Sequence, residues 1–324
     1  TNPGGTFIFA FGGLTLIILM SAISALLWHL RVIPLIVNAL SVLFKKPLGV
    51  GGPIGLGATA NVFLGQVEAP LLIKPYLSSM TRHELLIIMT VGMSTIAGSV
   101  MVVYTTMLFP IYGPRLIGHF LSASLISVPA AIMYANMMIP SNDKTDFPDK
   151  KSDDMYSSIM DAITQGTKNG LDIFLNVIAM LIVVMALVFL VNSMLGLLPN
   201  LNGNPITLEL MLGYLFAPLA WFMGIPWSES IIAGQLLGVK TALNEFVAYL
   251  YLSDTETYQL ADKSRMIMLY ALCGFANFSS VGILLSGLSA MVPERRADLI
   301  SVSGKALWCA LLASCLTGFI IGIL

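Results

Sequence analysis

Glu68 and Glu245 are carboxylates set in otherwise apolar, glycine-punctuated stretches. Glu68 is the only charge between Lys46 and Lys74, and Glu245 lies in LLGVKTALNEFVAYLYL with only Lys240 near it. At bilayer depth a carboxylate costs about 2.5 to 3.5 kcal/mol or more, so two of them mark a polar solute site. Beside Glu68, Gly65 and Gln66 fall at an expected turn, where glycine lets the backbone unwind and the amide and carboxylate can face a ligand. The bland alternative is a static pairing of Glu68 with Lys74 or a helix terminus.

Asn277 and Ser280 are three residues apart, on one face of a helix loosened by Gly274 and Ser279. An amide beside a hydroxyl matches sugar hydroxyls, which donate and accept; plain interhelical hydrogen bonding is the competing reading, and Asn244 reads likewise. Met93 to Ser99 (MSTIAGS) is rich in small and hydroxyl residues. Either its backbone unwinds and turns carbonyls toward a cation, or it lets helices pack closely.

These residues need a scaffold, and composition says which kind. With 57% hydrophobic and 10% charged residues, the 324-residue chain is an integral membrane protein rather than a soluble domain. A net charge of -1 supplies no basic field for nucleic acid. Cys273, Cys309 and Cys315 lie in apolar stretches and read as packing residues; His29, His83 and His119 read as interfacial, without metal spacing. No HExxH, Walker A or GxSxG pattern is visible, and no signal-peptide pattern opens the sequence.

Apolar runs long enough to span about 30 Å of hydrocarbon are expected at 6–30, 85–109, 116–139, 173–198, 266–291 and 304–324. Two further stretches, 52–77 and 225–252, are broken by Gly, Pro and polar residues and read as re-entrant hairpins. Val32 to Leu48 and Ile206 to Gly224 read as interfacial, and Ser141 to Lys168 as a solvated connector that becomes helical from about Asp154. This layout gathers Arg31, Lys45, Lys46, Lys74, Arg82, Lys144, Lys150, Lys151, Lys168, Arg295, Arg296 and Lys305 on one side, the cytoplasmic one. Arg115, Lys263 and Arg265 fall on the other, with Lys240 inside the second hairpin.

Each half runs span, interfacial stretch, hairpin with internal Glu, a span interrupted by small polar residues, then another span. Three spans separate the hairpins, so they enter from opposite faces and their tips meet near the midplane. The expected class is an all-α membrane protein with an inverted repeat, discontinuous helices, interfacial helices and two re-entrant hairpins, which is transporter architecture. The expected organisation is a scaffold span at 1–31, the rest of a first repeat at 32–139, a cytoplasmic connector at 140–172, a second scaffold span at 173–198, and the rest of a second repeat at 199–324.

GQVEAPLLIKPYL, TIAGS, LNEFVAYL, CGFANFSSVGIL and PERRADL, in that order along the whole chain, resemble the concentrative nucleoside transporters. The resemblance implies a homotrimer in the cytoplasmic (inner) membrane and an elevator-type transport body moving against a scaffold that includes 6–30 and 173–198. It also implies that Gln66 and Glu68, with Val100 beside them, read the nucleobase, and that Glu245, Asn277 and Ser280, with Phe275 nearby, bind the ribose. Asn61, Leu64, Thr95 and Ile96 match the family's sodium site, partly through backbone carbonyls. Two departures stand out: Val67 takes a place where the family often has Thr or Ser, and two spans that usually precede 6–30 in bacterial members are not in this sequence. The expected activity is sodium-coupled nucleoside import with no cofactor, the proton being the alternative coupling ion. A nucleoside sensor or channel, or an intramembrane enzyme using Glu68 and Glu245 as acid and base, are the rivals from other classes.

Overall fold

The computed structural model describes residues 15–48, 52–141, 155–199 and 205–324, and these are helical throughout, with no strand among them. Residues 6–14 of the first expected span lie outside the described residues, as do Lys144, Lys150 and Lys151.

α1 (Leu16–His29) turns by 76° into α2 (Val32–Leu48), and Arg31 at the corner has φ 64°, the left-handed conformation that a tight reversal demands. The first hairpin follows as α3 (Gly52–Ala60), an irregular tip, then α4 (Glu68–Leu71) and α5 (Lys74–Leu77). Next come α6 (Arg82–Ser94), α7 (Gly98–Tyr112) and α8 (Leu116–Met138). α6 starts from a capping box, in which Thr81 Oγ1 accepts from Glu84 N while Glu84 Oε2 accepts from Thr81 N.

α9 (Ile159–Leu195) is one 37-residue helix, about 55 Å long and so well in excess of the hydrocarbon thickness. The expected connector and span are therefore continuous from Ser158, whose side chain accepts from Asp161 N. A polar first third explains why only the later part looked like a span.

The second repeat comprises α10 (Leu208–Phe222), α11 (Trp227–Ala242), α12 (Glu245–Ser253), α13 (Asp262–Ala271), α14 (Phe278–Met291) and α15 (Arg296–Ile323). α10 meets α11 at 117°, through Gly224 with φ 93°. Gly213, Gly234 and Gly238 let these two helices approach so closely that a Cβ on Gly234 would strike the Gly213 carbonyl.

Two expected spans are not single helices. The 85–109 run breaks at 95–97, where Thr95 and Ala97 are extended, and the 266–291 run breaks at 272–277. Small and hydroxyl residues there lower the penalty for leaving the helix, and neighbouring segments take up the freed backbone groups. Both broken pairs sit in the buried centre, flanked by α8 and α15.

α1 and α9 pack closely on each other, and α1 also lies against α7. Gly166 and Gly170, one turn apart on α9, admit α1 so closely that a Cβ on either would lie 2.7 Å from Ala25 Cβ or Ile18 Cα.

Candidate polar pocket between the hairpin tips

At the first tip, α3 loosens into turns after Ala60, and the chain re-enters helix at Glu68. Gly65 N donates to Glu68 Oε2 at 2.9 Å, folding the half-buried carboxylate back over its own turn. This accounts for one Glu68 contact, and the other carboxylate oxygen retains acceptor capacity for a ligand. The tip docks on the first helix break: Gly98 N donates to the Phe63 carbonyl at 3.1 Å, and Gln66 lies across Gly92.

Two amide oxygens at this junction are buried without a partner, Asn61 Oδ1 and Gln66 Oε1. The Asn61 side chain is committed only through Nδ2, which donates to the Gly57 carbonyl at 3.1 Å. An orphaned buried acceptor costs about 1–3 kcal/mol, so both point to groups supplied from outside the chain. Leu64, Thr95 and Ile96 are buried around the same junction. Thr95 Oγ1 donates to the Val91 carbonyl at 3.1 Å and keeps its lone pairs, so both this hydroxyl and the extended backbone beside it offer oxygens there. Thr90, one turn earlier on α6, also carries an unpartnered buried hydroxyl, and its position in an apolar helix gave no signal in the sequence.

At the second tip, Asn244 caps α12 by accepting from Val247 N at 2.9 Å, so its side chain serves the fold. Glu245 opens α12, and its two oxygens are separately engaged: Tyr104 Oη donates to Oε1 at 2.7 Å and Asn277 Nδ2 donates to Oε2 at 2.7 Å. Asn277 and Ser280 do not stand side by side on a helix face, as their spacing suggested. Asn277 is extended at the N-cap of α14, and its Oδ1 accepts from Ser280 N and from Ser279 Oγ, each at 2.7 Å. The helix starts one residue later than the i,i+3 argument assumed. Ser280 is buried beneath this cap, and Phe275 is half-buried in the break.

α7 connects the two tips. Gly98 meets the first hairpin and Tyr104 meets Glu245, six residues or about 9 Å further along the helix axis. Val100, buried, lies between them. From the other repeat, Val67 rests on Gly287 of α14. Gly274 of the second break lies against Ser94 at the first, so a chain of contacts runs from the first hairpin tip, with its orphaned amides, through both helix breaks to Asn277 and Glu245.

Among the described residues no group of three His, Cys, Asp or Glu could hold a metal ion, and the three cysteines are buried free thiols. His83 Nδ1 contacts the Ile139 carbonyl and His119 Nδ1 contacts Tyr270 Oη.

Residues 119–322 match the family model described as Na+ dependent nucleoside transporter C-terminus, and residues 10–110 match one described as nucleoside recognition. The chain belongs to the concentrative nucleoside transporter family. It is 39% identical to the uncharacterized transporter YutK of Bacillus subtilis over 97% of this chain and 77% of that protein. It is 37% identical to the nucleoside permease NupC of Helicobacter pylori, over 98% of this chain and 76% of that one. The structure of CNTnw in an inward-facing substrate-bound state superposes with a TM-score of 0.90 at 35% identity, covering 99% of this chain and 76% of that chain. CNTnw variants in outward-facing and intermediate states fit with TM-scores of 0.90 and 0.88. These relatives and structural neighbours are transporters rather than enzymes, which sets aside the intramembrane acid–base reading.

Proposed function

We propose that this transporter imports nucleosides across the cytoplasmic membrane by sodium symport, as a homotrimer in which the hairpin-bearing body moves against α1 and α9 in an elevator motion. The observation that carries the reading is the convergence of Glu245, held by Tyr104 and Asn277, with the unpartnered Gln66 and Asn61 oxygens. A nucleoside has a hydroxyl-rich ribose and a base edge of donors and acceptors. Glu245, Asn277 and Ser280, with Phe275 alongside, take the ribose; Gln66, Glu68 and Val100 take the base, with Val67 closing over it. Asn61 Oδ1 and carbonyls near Leu64, Thr95 and Ile96 provide the hard oxygen ligands that an alkali cation prefers.

α1 and α9 suit the scaffold role because their glycine-mediated contact joins them to each other closely. CNTnw has been captured facing outward, facing inward and in between, which supports alternating access by this fold.

Uptake of labelled uridine and adenosine into proteoliposomes, with sodium and proton gradients imposed separately, tests the reading. Accumulation driven by sodium alone is expected. Accumulation driven by protons alone would transfer the coupling to the buried carboxylates, and uptake indifferent to both gradients would sink symport. Asn61→Ala is expected to raise the sodium concentration needed for half-maximal uptake by about tenfold or more.

A further inference from the structure

Lys240 is fully buried, at 0% exposure, in the last turn of α11, five residues before Glu245. Its Nζ donates to the carbonyl of Ala271 at 2.9 Å. Ala271 is the last residue of α13, and the carbonyls at such an end have lost their helical partners and carry the negative pole of the helix. Lysine is almost never wholly buried unless something compensates its charge. Here the observed compensation is the helix end, and Glu245 opens the next helix five residues further along the same hairpin.

The first repeat has the same parts without the ammonium. α6 also ends at a break, and the first hairpin also docks on it, yet no Lys or Arg occurs between Lys46 and Lys74. At that junction stands the buried, unpartnered Asn61 Oδ1, an acceptor with nothing positive or hydrogen-bearing to meet it. One hairpin therefore carries its cation covalently, and the other leaves an oxygen open for one.

We propose that Lys240 is a built-in cation: its tethered ammonium neutralises Glu245 and holds the carbonyl end of α13, doing for the second repeat what a free monovalent cation does for the first. It is a positioning residue, acting on nucleoside through Glu245. Ion dependence is then confined to the first hairpin, and the ribose side of the pocket stays formed whether or not the free cation is bound. The inference deepens the cation-coupled reading above and rests on it for its ion-dependence arm.

The test compares wild type with Lys240→Arg and Lys240→Met in uridine binding across a sodium series, choline replacing sodium. Wild type is expected to show first-order dependence on sodium. Lys240→Met should bind at least about tenfold more weakly even at saturating sodium, while Lys240→Arg should stay within about threefold of wild type. A second arm needs no nucleoside: the melting temperatures of Lys240→Met, Glu245→Gln and the double variant form a cycle. Removing the carboxylate should restore at least half of the stability lost with the ammonium. Should Lys240→Met fail to fold, recovery of folded protein in the double variant supports the proposal, and no recovery overturns it. Wild-type uridine affinity in Lys240→Met, equal losses in the Arg and Met variants, or simply additive melting shifts would also overturn it. A wild type that binds no uridine would instead sink the transport reading, with the melting cycle still deciding the role of Lys240.

Discussion

The side chain of Val67, at the first hairpin tip, fills the space that a β-carbon on Gly287 would take: such an atom would lie 2.7 Å from Val67 Cγ1. Real carbon atoms do not approach so closely, so the hairpin closes on α14 only because residue 287 has no side chain.

Gly287→Ala is therefore expected to hold the first hairpin away from α14 and lower the nucleoside uptake rate by about tenfold, an overpacking penalty of about 1–3 kcal/mol. Val67→Ala in the same chain should restore most of it. Uptake by the two single variants and the double variant checks the pair; a double variant no better than Gly287→Ala would show that the contact does not limit closure.

Tyr104→Phe takes the proton donor from Glu245 Oε1 and leaves a buried carboxylate oxygen unpaired. A loss of about 1.5–3 kcal/mol, or roughly 10–100-fold in uridine affinity, is expected. Glu245→Gln should abolish binding while leaving oligomeric state unchanged. Calorimetric titration in detergent reads both, and wild-type affinity in either would remove Glu245 from the ribose site.

At Gly274 φ is 140°, and an added β-carbon would sit 2.7 Å from the Ser94 carbonyl oxygen, so the two helix breaks touch there. Gly274→Ala combines backbone strain of about 1–3 kcal/mol with a clash against an unyielding main-chain atom. A clear fall in Tm is expected. Gly282→Ala serves as the control, since nothing lies within 4 Å of that position.

Acidity should loosen the polar start of α9. Hydrogen bonds from the Gln165 side chain, the Ser157 amide and the Ser157 hydroxyl hold the Asp161 carboxyl below its ordinary range. A carboxylate whose folded value is depressed stabilises above its unfolded value and loses that contribution as pH falls through the folded one. Asp161→Ala should thus melt earlier than wild type at pH 7, with the difference closing as pH falls below the ordinary aspartate range. A gap that persists unchanged in acid would show that the charge does not matter.

Glu68 and Glu245 were legible because a charge in an apolar stretch stands out at any resolution of reading. The break at 95–97 was legible only as an alternative, since small and hydroxyl residues serve close packing and unwinding equally well, and 272–277 read as a helix merely loosened by glycine and serine. Asn277 was found for the wrong local reason: its spacing from Ser280 suits a helix face, whereas the chain leaves the helix before it and the amide becomes a cap.

Tyr104 was out of reach. A tyrosine in an apolar helix carries no periodic or compositional signal, and its partner lies 141 residues away. Lys240 was noticed but given no role, because its counterpart is a backbone carbonyl, which every residue possesses. Helix was expected from about Asp154, and what the polar composition of the first ten residues of α9 hid is that this helix runs on unbroken into the span.

The two crossed contacts, Tyr104 to Glu245 and Val67 to Gly287, make each hairpin lean on a helix from the other half. A chain of half this length would leave both contacts unmade, so each half completes the other where the hairpins end.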